Sequence, residues 1–457
     1  MLTSTLNRSK WSTWNRCERF ATLFLGFQSV VDTAVHFGSF DAELGWRPAE
    51  LATLPAVPFV RSVAGMDHLL AVACRPDDLL LTTDDRSAAI TDAMANAGLT
   101  HRLQVVSGPS DEPIEKRLAA ARMDWLPDVQ GWSASMFAVQ DGTAQALTRL
   151  GLRSAVPSLE SVIRVNSKVW SNAWVIDRGL PGAALVARSV EDLQSAVNDI
   201  GRGRVVIKDP YGVSGRGAIR VDSPRTFDTI VRHLVGQVER GGLIEFLVQP
   251  LFDCAIEFSS HLHITIRGDI EWLGLQTADN RRFAYVGSGP ADIELIERLG
   301  DHHVELMTEV GSALYSAGYH GPAGVDGMLL ANGDVVPVLE INARRSMGWL
   351  NLKLDERAAR AGLRSWLRWY PVDFMVDDNL VGRVIDVLYR WDRLTDGERP
   401  GVLPLAMNPP CGRSRLFAAI FAATGDEQVE LDSVVTEAVR RCDPRADAPS
   451  PIVAGRS

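Results

Sequence analysis

Residues 204–217 read Arg204-Val-Val-Ile-Lys208-Asp-Pro-Tyr-Gly212-Val-Ser214-Gly215-Arg-Gly217. A short apolar run that reads as a buried strand ends in a lysine, a loop with three glycines and a serine follows, and a second apolar run begins at Ala218. Glycines let the backbone turn sharply and come close to a ligand, with N–H groups free to point at phosphate oxygens. The segment therefore reads as a phosphate cradle built on a β-hairpin. It is not a Walker loop, because the lysine precedes the glycines and no Gly-Lys-Ser/Thr opens a helix. It is not a dinucleotide fingerprint either, because Gly212-x-x-Gly215-x-Gly217 leads into a strand.

A second hairpin lies more than a hundred residues downstream. Residues 321–344 hold two apolar runs around Asn332-Gly333, a turn signal of the hairpin type. Asp326 falls on the first run; Glu340 and Asn342 fall on the second, two apart and so on one face. Two carboxylates and an amide oxygen on one face make a hard oxygen site suited to Mg²⁺. A plain two-residue turn pairs Asp326 with Leu339 and sends Glu340 to the other face. Pro337 cannot donate to a ladder and belongs at an edge or a bulge. A bulge near Pro337 brings Asp326 opposite Glu340.

With these two hairpins the sequence resembles the ATP-grasp superfamily, of the carboxylate–amine (amino acid or peptide) ligase type. The Lys208 glycine loop is similar to that family's loop over the triphosphate, and Glu340-Ile-Asn342-Ala-Arg344 to its metal-binding Glu-x-Asn-x-Arg strand, with Asp326 as the acid of the preceding strand. Asn166-Ser167-Lys168, followed by a helical stretch and Gly179-Leu180-Pro181, resembles the segment whose lysine reaches the ATP phosphates. The run from Leu243 through Gln249-Pro250-Leu251 is similar to the strand and hinge that hold adenine by backbone groups. Glu257 matches the acid that holds the ribose or a metal.

The resemblance covers residues 160–350. It implies an α/β fold with an α+β core: a Rossmann-like N-terminal domain, then two α+β subdomains with ATP held between them. It implies ATP and Mg²⁺ as cofactors. Lys168, Lys208 and the backbone of Gly212, Ser214, Gly215 and Gly217 would bind the phosphates, and Asp326, Glu340 and Asn342 the metal. Arg344, with Lys208, would act on the transferring phosphoryl group. The expected boundaries are 1–150 for the N-terminal domain, 151–255 for the subdomain with the glycine loop, 256–350 for the metal-binding subdomain, 351–442 for a C-terminal extension and 443–457 for a disordered tail.

Composition narrows the setting. The chain has 457 residues, 46% of them hydrophobic and 23% charged, as expected of a globular protein of two or three domains. A net charge of -10 without a basic stripe argues against nucleic acid as a partner. No apolar run is long enough for a membrane span, and the first 14 residues lack the order of a signal peptide. Five scattered cysteines show no metal-binding spacing, which suits reduced thiols and a cytoplasmic location. Of the five lysines, Lys168 and Lys208 sit where the family places ammonium groups on phosphates.

The chemistry implied by the resemblance is activation of a carboxylate by ATP and capture by an amine, giving an amide, ADP and phosphate. The partners are then small carboxylates and amines, with a homodimer as a further expectation. Two alternatives stay open: a kinase of the same fold, and a nucleotide-binding module without catalysis. The roles of His261 and His263, two apart on a strand, stay open between an acid/base pair and hydrogen-bonded sheet residues. Arg281-Arg282 read either as a carboxylate clamp or as a solvated charge pair. Ser346-Met347-Gly348 reads either as part of an acceptor pocket or as a turn into a helix.

Overall fold

The short apolar runs become strands of three separate sheets in the computed structural model, which describes residues 33–55, 63–120, 128–201, 204–212, 217–374, 379–408 and 414–443. The described residues from Ala34 onward belong to one unit. The first sheet is parallel, in the order β3-β2-β1-β4, from β1 (Ala34–Phe37), β2 (Leu79–Thr82), β3 (Arg102–Val105) and β4 (Ser133–Met136). β1 and β2 are buried along their whole length, as strands of a parallel sheet covered on both faces must be. Helices Ile114–Ala120 and Thr143–Leu150 pack on it through Leu118, Ala146, Leu147 and Leu150.

The second sheet is antiparallel, in the order β5-β8-β6-β7, from β5 (Leu185–Ala187), β6 (Val205–Lys208), β7 (Ala218–Val221) and β8 (Phe246–Pro250). Helices Val190–Ile200 and Pro224–Val238 cover one face. Their buried stripes (Leu193, Ala196 and Val197; Phe227, Ile230 and Leu234) recur at the three-to-four-residue spacing of amphipathic helices. Each helix starts on a serine, Ser189 or Ser223, whose side chain accepts a backbone N–H of the first turn. The hairpin expected around the glycine loop is present: β6 and β7 pair from Val205↔Val221 to Lys208↔Ala218.

The third sheet has eight strands, in the order β13-β12-β9-β10-β11-β14-β16-β15. They are β9 (Cys254–Ile264), β10 (Ile270–Arg281), β11 (Ala284–Pro290), β12 (Gly321–Leu330), β13 (Val335–Asn342), β14 (Arg364–Val372), β15 (Gly401–Met407) and β16 (Ser414–Ala422). The strands after residue 351 thus continue the sheet that carries Asp326 and Glu340. The candidate pair Arg281-Arg282 falls at the far end of β10. Arg281 is its last residue, and Arg282 and Phe283 form the two-residue turn to β11 with positive φ of 53° and 65°. That left-handed turn matches the twist of the flanking strands, and side chains other than glycine or asparagine adopt it at a cost.

Candidate functional site

β12 and β13 set the acidic pair, by a route that differs in detail from the expected one. The connection is a three-residue loop, Ala331-Asn332-Gly333, closed by Leu330 N–H to Asp334 O (2.8 Å) and Gly333 N–H to Leu330 O (2.9 Å). Gly333 takes the left-handed conformation (φ +87°) that such a loop needs at its end. The pairing then runs Leu329↔Val335 and Met328↔Val336, shifts by two residues across Pro337, Val338 and Leu339, and resumes as Asp326↔Glu340 and Gly324↔Asn342. The bulge near Pro337 does bring Asp326 opposite Glu340, but it holds two extra residues rather than one, because the loop is one residue longer. Gly327 makes the crossing possible: a Cβ there would meet the Phe258 ring at 2.5 Å and Val336 O at 2.9 Å.

The cations converge on this pair. Ser167 caps the helix Lys168–Asp177, and its first residue sends Nζ to Glu340 Oε1 (3.0 Å) and to Gly212 O (2.8 Å). The Lys168 N–H also donates to Pro210 O (2.9 Å), so one lysine ties the base of the glycine hairpin to the metal strand. Asn166 fixes the end of that strand, accepting the Ala343 N–H at 2.9 Å. Lys208, at the end of β6, is half-buried near Glu340. Burial lowers its pKa to about 8, against the opposing pull of Glu340.

The two carboxylates share a strained electrostatic setting. Burial first and Glu340 second push Asp326 up to about 6. Burial also works against the Glu340 carboxylate, but Lys168 and Lys208 outweigh it and hold its pKa below the ordinary value. The first proton on falling pH therefore goes to Asp326. Asn342 donates from Nδ2 to Asp326 Oδ2 (2.9 Å), and its Oδ1 makes a long 3.5 Å contact to Arg344 Nη2. Two facing, partly buried carboxylates with an amide oxygen beside them fit a divalent cation, whose charge would relieve the repulsion that raises Asp326. Among the described residues, no group of three or more His, Cys, Asp or Glu side chains offers another metal site.

Two contacts from the N-terminal sheet domain were not legible in the sequence. Glu43, on the short helix Ala42–Trp46, receives both Nε and Nη2 of Arg344; the two side chains are only 8% and 10% exposed. Arg47, just after that helix, pairs with Asp209 (3.0 Å) and donates to the carbonyls of Leu51 (3.0 Å) and Ala52 (2.7 Å). Asp209 in turn receives the Tyr211 N–H at 2.8 Å. The glycine hairpin closes on itself at this point through Asp209 N–H to Gly217 O (2.6 Å). Gly217 has φ +84°, and a Cβ would lie 2.8 Å from Asp209 Cβ, so only glycine fits. Ser214 and Gly215 lie outside the described residues.

One cavity of about 320 Å³ is lined by Lys168, Lys208, Gly212, Gly217, Gln249, Leu251, Glu257, Asp326, Glu340, Asn342 and Arg344. The expected hinge is at its edge, but two of its donors are engaged: the Leu251 N–H bonds to Arg204 O (2.6 Å) and the Gln249 side-chain Nε2 donates to Gly182 O. These two residues therefore contribute surface here rather than free donors. Glu257 accepts from Asn280, and burial raises its pKa.

The remaining candidates separate. His261 is buried, with its pKa lowered to about 3 by burial, and its Nε2 lies under Gly348 without a hydrogen-bond partner. His263 lies opposite Glu271 and Pro322 in the ladders. Both are neutral sheet residues at neutral pH. Arg281 and Arg282 are exposed at the β10–β11 turn, while the neighbouring Phe283 lines the cavity. Ser346, Met347 and Gly348 also line it. Ser346 caps the helix Met347–Ala358, so the turn into a helix and the pocket wall are the same residues.

Solved structures of similar fold are found at low sequence identity. N5-carboxyaminoimidazole synthetase from Staphylococcus aureus, complexed with ADP, superimposes with a TM-score of 0.51 at 13% identity, over 89% of this chain and 97% of that one. The chain has the ATP-grasp fold. A second ATP-grasp structure, the biotin carboxylase domain of Hydrogenobacter thermophilus 2-oxoglutarate carboxylase, gives a TM-score of 0.52 at 11% identity over 91% and 95%. Among curated proteins, the [butirosin acyl-carrier protein]–L-glutamate ligase of Niallia circulans is 23% identical over 229 residues, 49% of this chain. The chain spans about half, 54%, of that relative's length. No family model matches the sequence. No helix among the described residues is long and apolar enough to cross a membrane.

Proposed function

We propose that this ATP-grasp chain is an ATP-dependent carboxylate–amine ligase that releases ADP and phosphate. The observation that carries the reading is the convergence of Lys168, Lys208 and Arg344 on the Asp326–Glu340 pair within one cavity. Lys168 and Lys208 bind the triphosphate. A Mg²⁺ held by Asp326, Glu340 and Asn342 supplies neutralising charge to the phosphate oxygens when bound. Arg344, oriented by Glu43, faces the reacting centre and stabilises charge as it develops, the largest contribution a site of this kind makes.

The substrate carboxylate oxygen forms a bond to the γ-phosphorus as the bond to ADP breaks. The amine nitrogen then bonds to the acyl carbon, the carbon–oxygen bond to phosphate breaks, and phosphate leaves with the electron pair. The amine's proton passes to phosphate or solvent. No side chain becomes covalently attached. The butirosin relative supports an amino acid as one reactant and leaves room for a carrier-bound one as the other.

The test is hydroxylamine in place of the amine. A ligase gives a hydroxamate with stoichiometric ADP; a kinase of the same fold gives a stable phosphorylated product, and a binding module gives neither. AMP and pyrophosphate as products would overturn the mechanism.

A further inference from the structure

The end of the cavity beside Arg344 carries four large apolar side chains. Phe40 and Phe137 stack there, with ring centroids 3.9 Å apart and planes at 21°. The Arg344 guanidinium carbon is 6.0 Å from the Phe137 ring centre, and the Arg345 N–H donates to Phe137 O at 3.0 Å. Met347 opens the helix that follows three residues later. Met66 opens the 3₁₀ helix Met66–Ala73, which packs against that helix. All four side chains line the cavity.

The charges are elsewhere. Lys168, Lys208, Asp326, Glu340 and Glu257 stand toward the phosphate and metal side, and Arg344 is already paired with Glu43. The next cation along the chain, Arg345, faces away: it stacks 4.0 Å over the Trp349 ring and donates to Ser135 Oγ (2.8 Å). An acidic substrate side chain at this end would lie against two phenyl rings and two thioethers with no free cation among the described residues that line it, which disfavours it strongly. A large apolar side chain would fill the same space favourably.

We infer that the carboxylic acid activated by this enzyme carries a large apolar side chain, seated against Phe40, Phe137, Met66 and Met347. The inference rests on the ligase reading, because it places the acyl carbon at Arg344. It separates this chain from its L-glutamate-using relative at the substrate rather than at the chemistry.

Hydroxylamine isolates the acid, since it replaces the amine. Hydroxamate formation is measured for phenylalanine, leucine and methionine against glutamate, aspartate and glycine. The expected result is a kcat/KM for the best apolar acid at least about tenfold above that for glutamate, the scale on which hydrophobic pockets discriminate. Phe40 is only half-buried, so Phe40→Ala is the variant of choice. It should lower kcat/KM for the apolar acids about tenfold, mainly through KM, with circular dichroism reporting the fold. The wild-type panel decides the matter even where that variant does not fold. Equal or better use of glutamate or aspartate overturns the inference and leaves the ligase reading standing. An unchanged preference in a folded Phe40→Ala also overturns it. No hydroxamate from any acid overturns the ligase reading and the inference together.

Discussion

Glu43 touches the proposed chemistry only through Arg344, and its removal tests whether the N-terminal sheet domain helps to build the site. In Glu43→Ala the Arg344 guanidinium loses two hydrogen bonds at a pair that is about nine-tenths buried. Breaking one partner of a buried pair costs about 3–5 kcal/mol, because the other charge stays behind without compensation. The lower end applies here, since Arg344 keeps its bond to Arg345 O (2.8 Å) and its contact with Asn342. We expect a loss of about 3 kcal/mol, visible as a fall in Tm of several degrees. In activity, a fixed donor at the reacting centre is worth about a hundredfold or more, so a guanidinium free to swing should lower kcat at least about tenfold. The KM for ATP should change little, because Lys168 and Lys208 remain. The assay is steady-state ADP release, with a cycle through Arg344→Ala and the double variant. Contact between the two residues requires the double variant to be no slower than Arg344→Ala alone. Additive losses, or near-normal kcat in Glu43→Ala, would refute the reasoning.

Three further outcomes are expected. Lys168→Met removes a charge-assisted contact to Glu340 and the tie to Gly212; ATP affinity should fall about ten- to a hundredfold by calorimetry, and an unchanged Kd would remove Lys168 from the phosphate site. Mn²⁺ affinity in the presence of ATP should fall about tenfold per pH unit as Asp326 takes up its proton below about 6, and Asp326→Asn should abolish that dependence. The raised pKa has the opposite sign for stability: it contributes fully below the unfolded value and is lost as pH rises through about 6, so metal-free Asp326→Asn should melt higher than wild type at pH 8 but not at pH 4. Gly327→Ala forces a methyl group into the Phe258 ring and Val336 O; it should cost about 1–3 kcal/mol by denaturant titration and reduce turnover by disturbing the Asp326–Glu340 register, and wild-type values for both would show that the bulge tolerates a side chain.

Features that local chemistry writes into a short stretch could be read before any packing was known. A lysine ending an apolar run before three glycines gave the β6–β7 hairpin. The two-residue spacing of Glu340 and Asn342, with Pro337 barred from a regular ladder, was enough to set Asp326 opposite Glu340. The size of the bulge was not legible, because it follows from a hairpin loop one residue longer than a two-residue turn, and the crossing at Gly327 is packed against the Phe258 ring of β9, a strand distant in sequence. The engaged Leu251 N–H depends in the same way on Arg204 from a neighbouring segment. Glu43 and Arg47 left no local signal at all: they sit 301 and 162 residues from Arg344 and Asp209, on a helix of five residues and just beyond it. Only the packing of the parallel sheet against the other two sheets brings them to Arg344 and Asp209. The same packing supplies Phe40 and Phe137, so tertiary structure decided how the arginine is held and what kind of side chain fits beside it. Periodicity and turn chemistry act over a few residues and could fix only the strands on which the phosphate and metal groups stand.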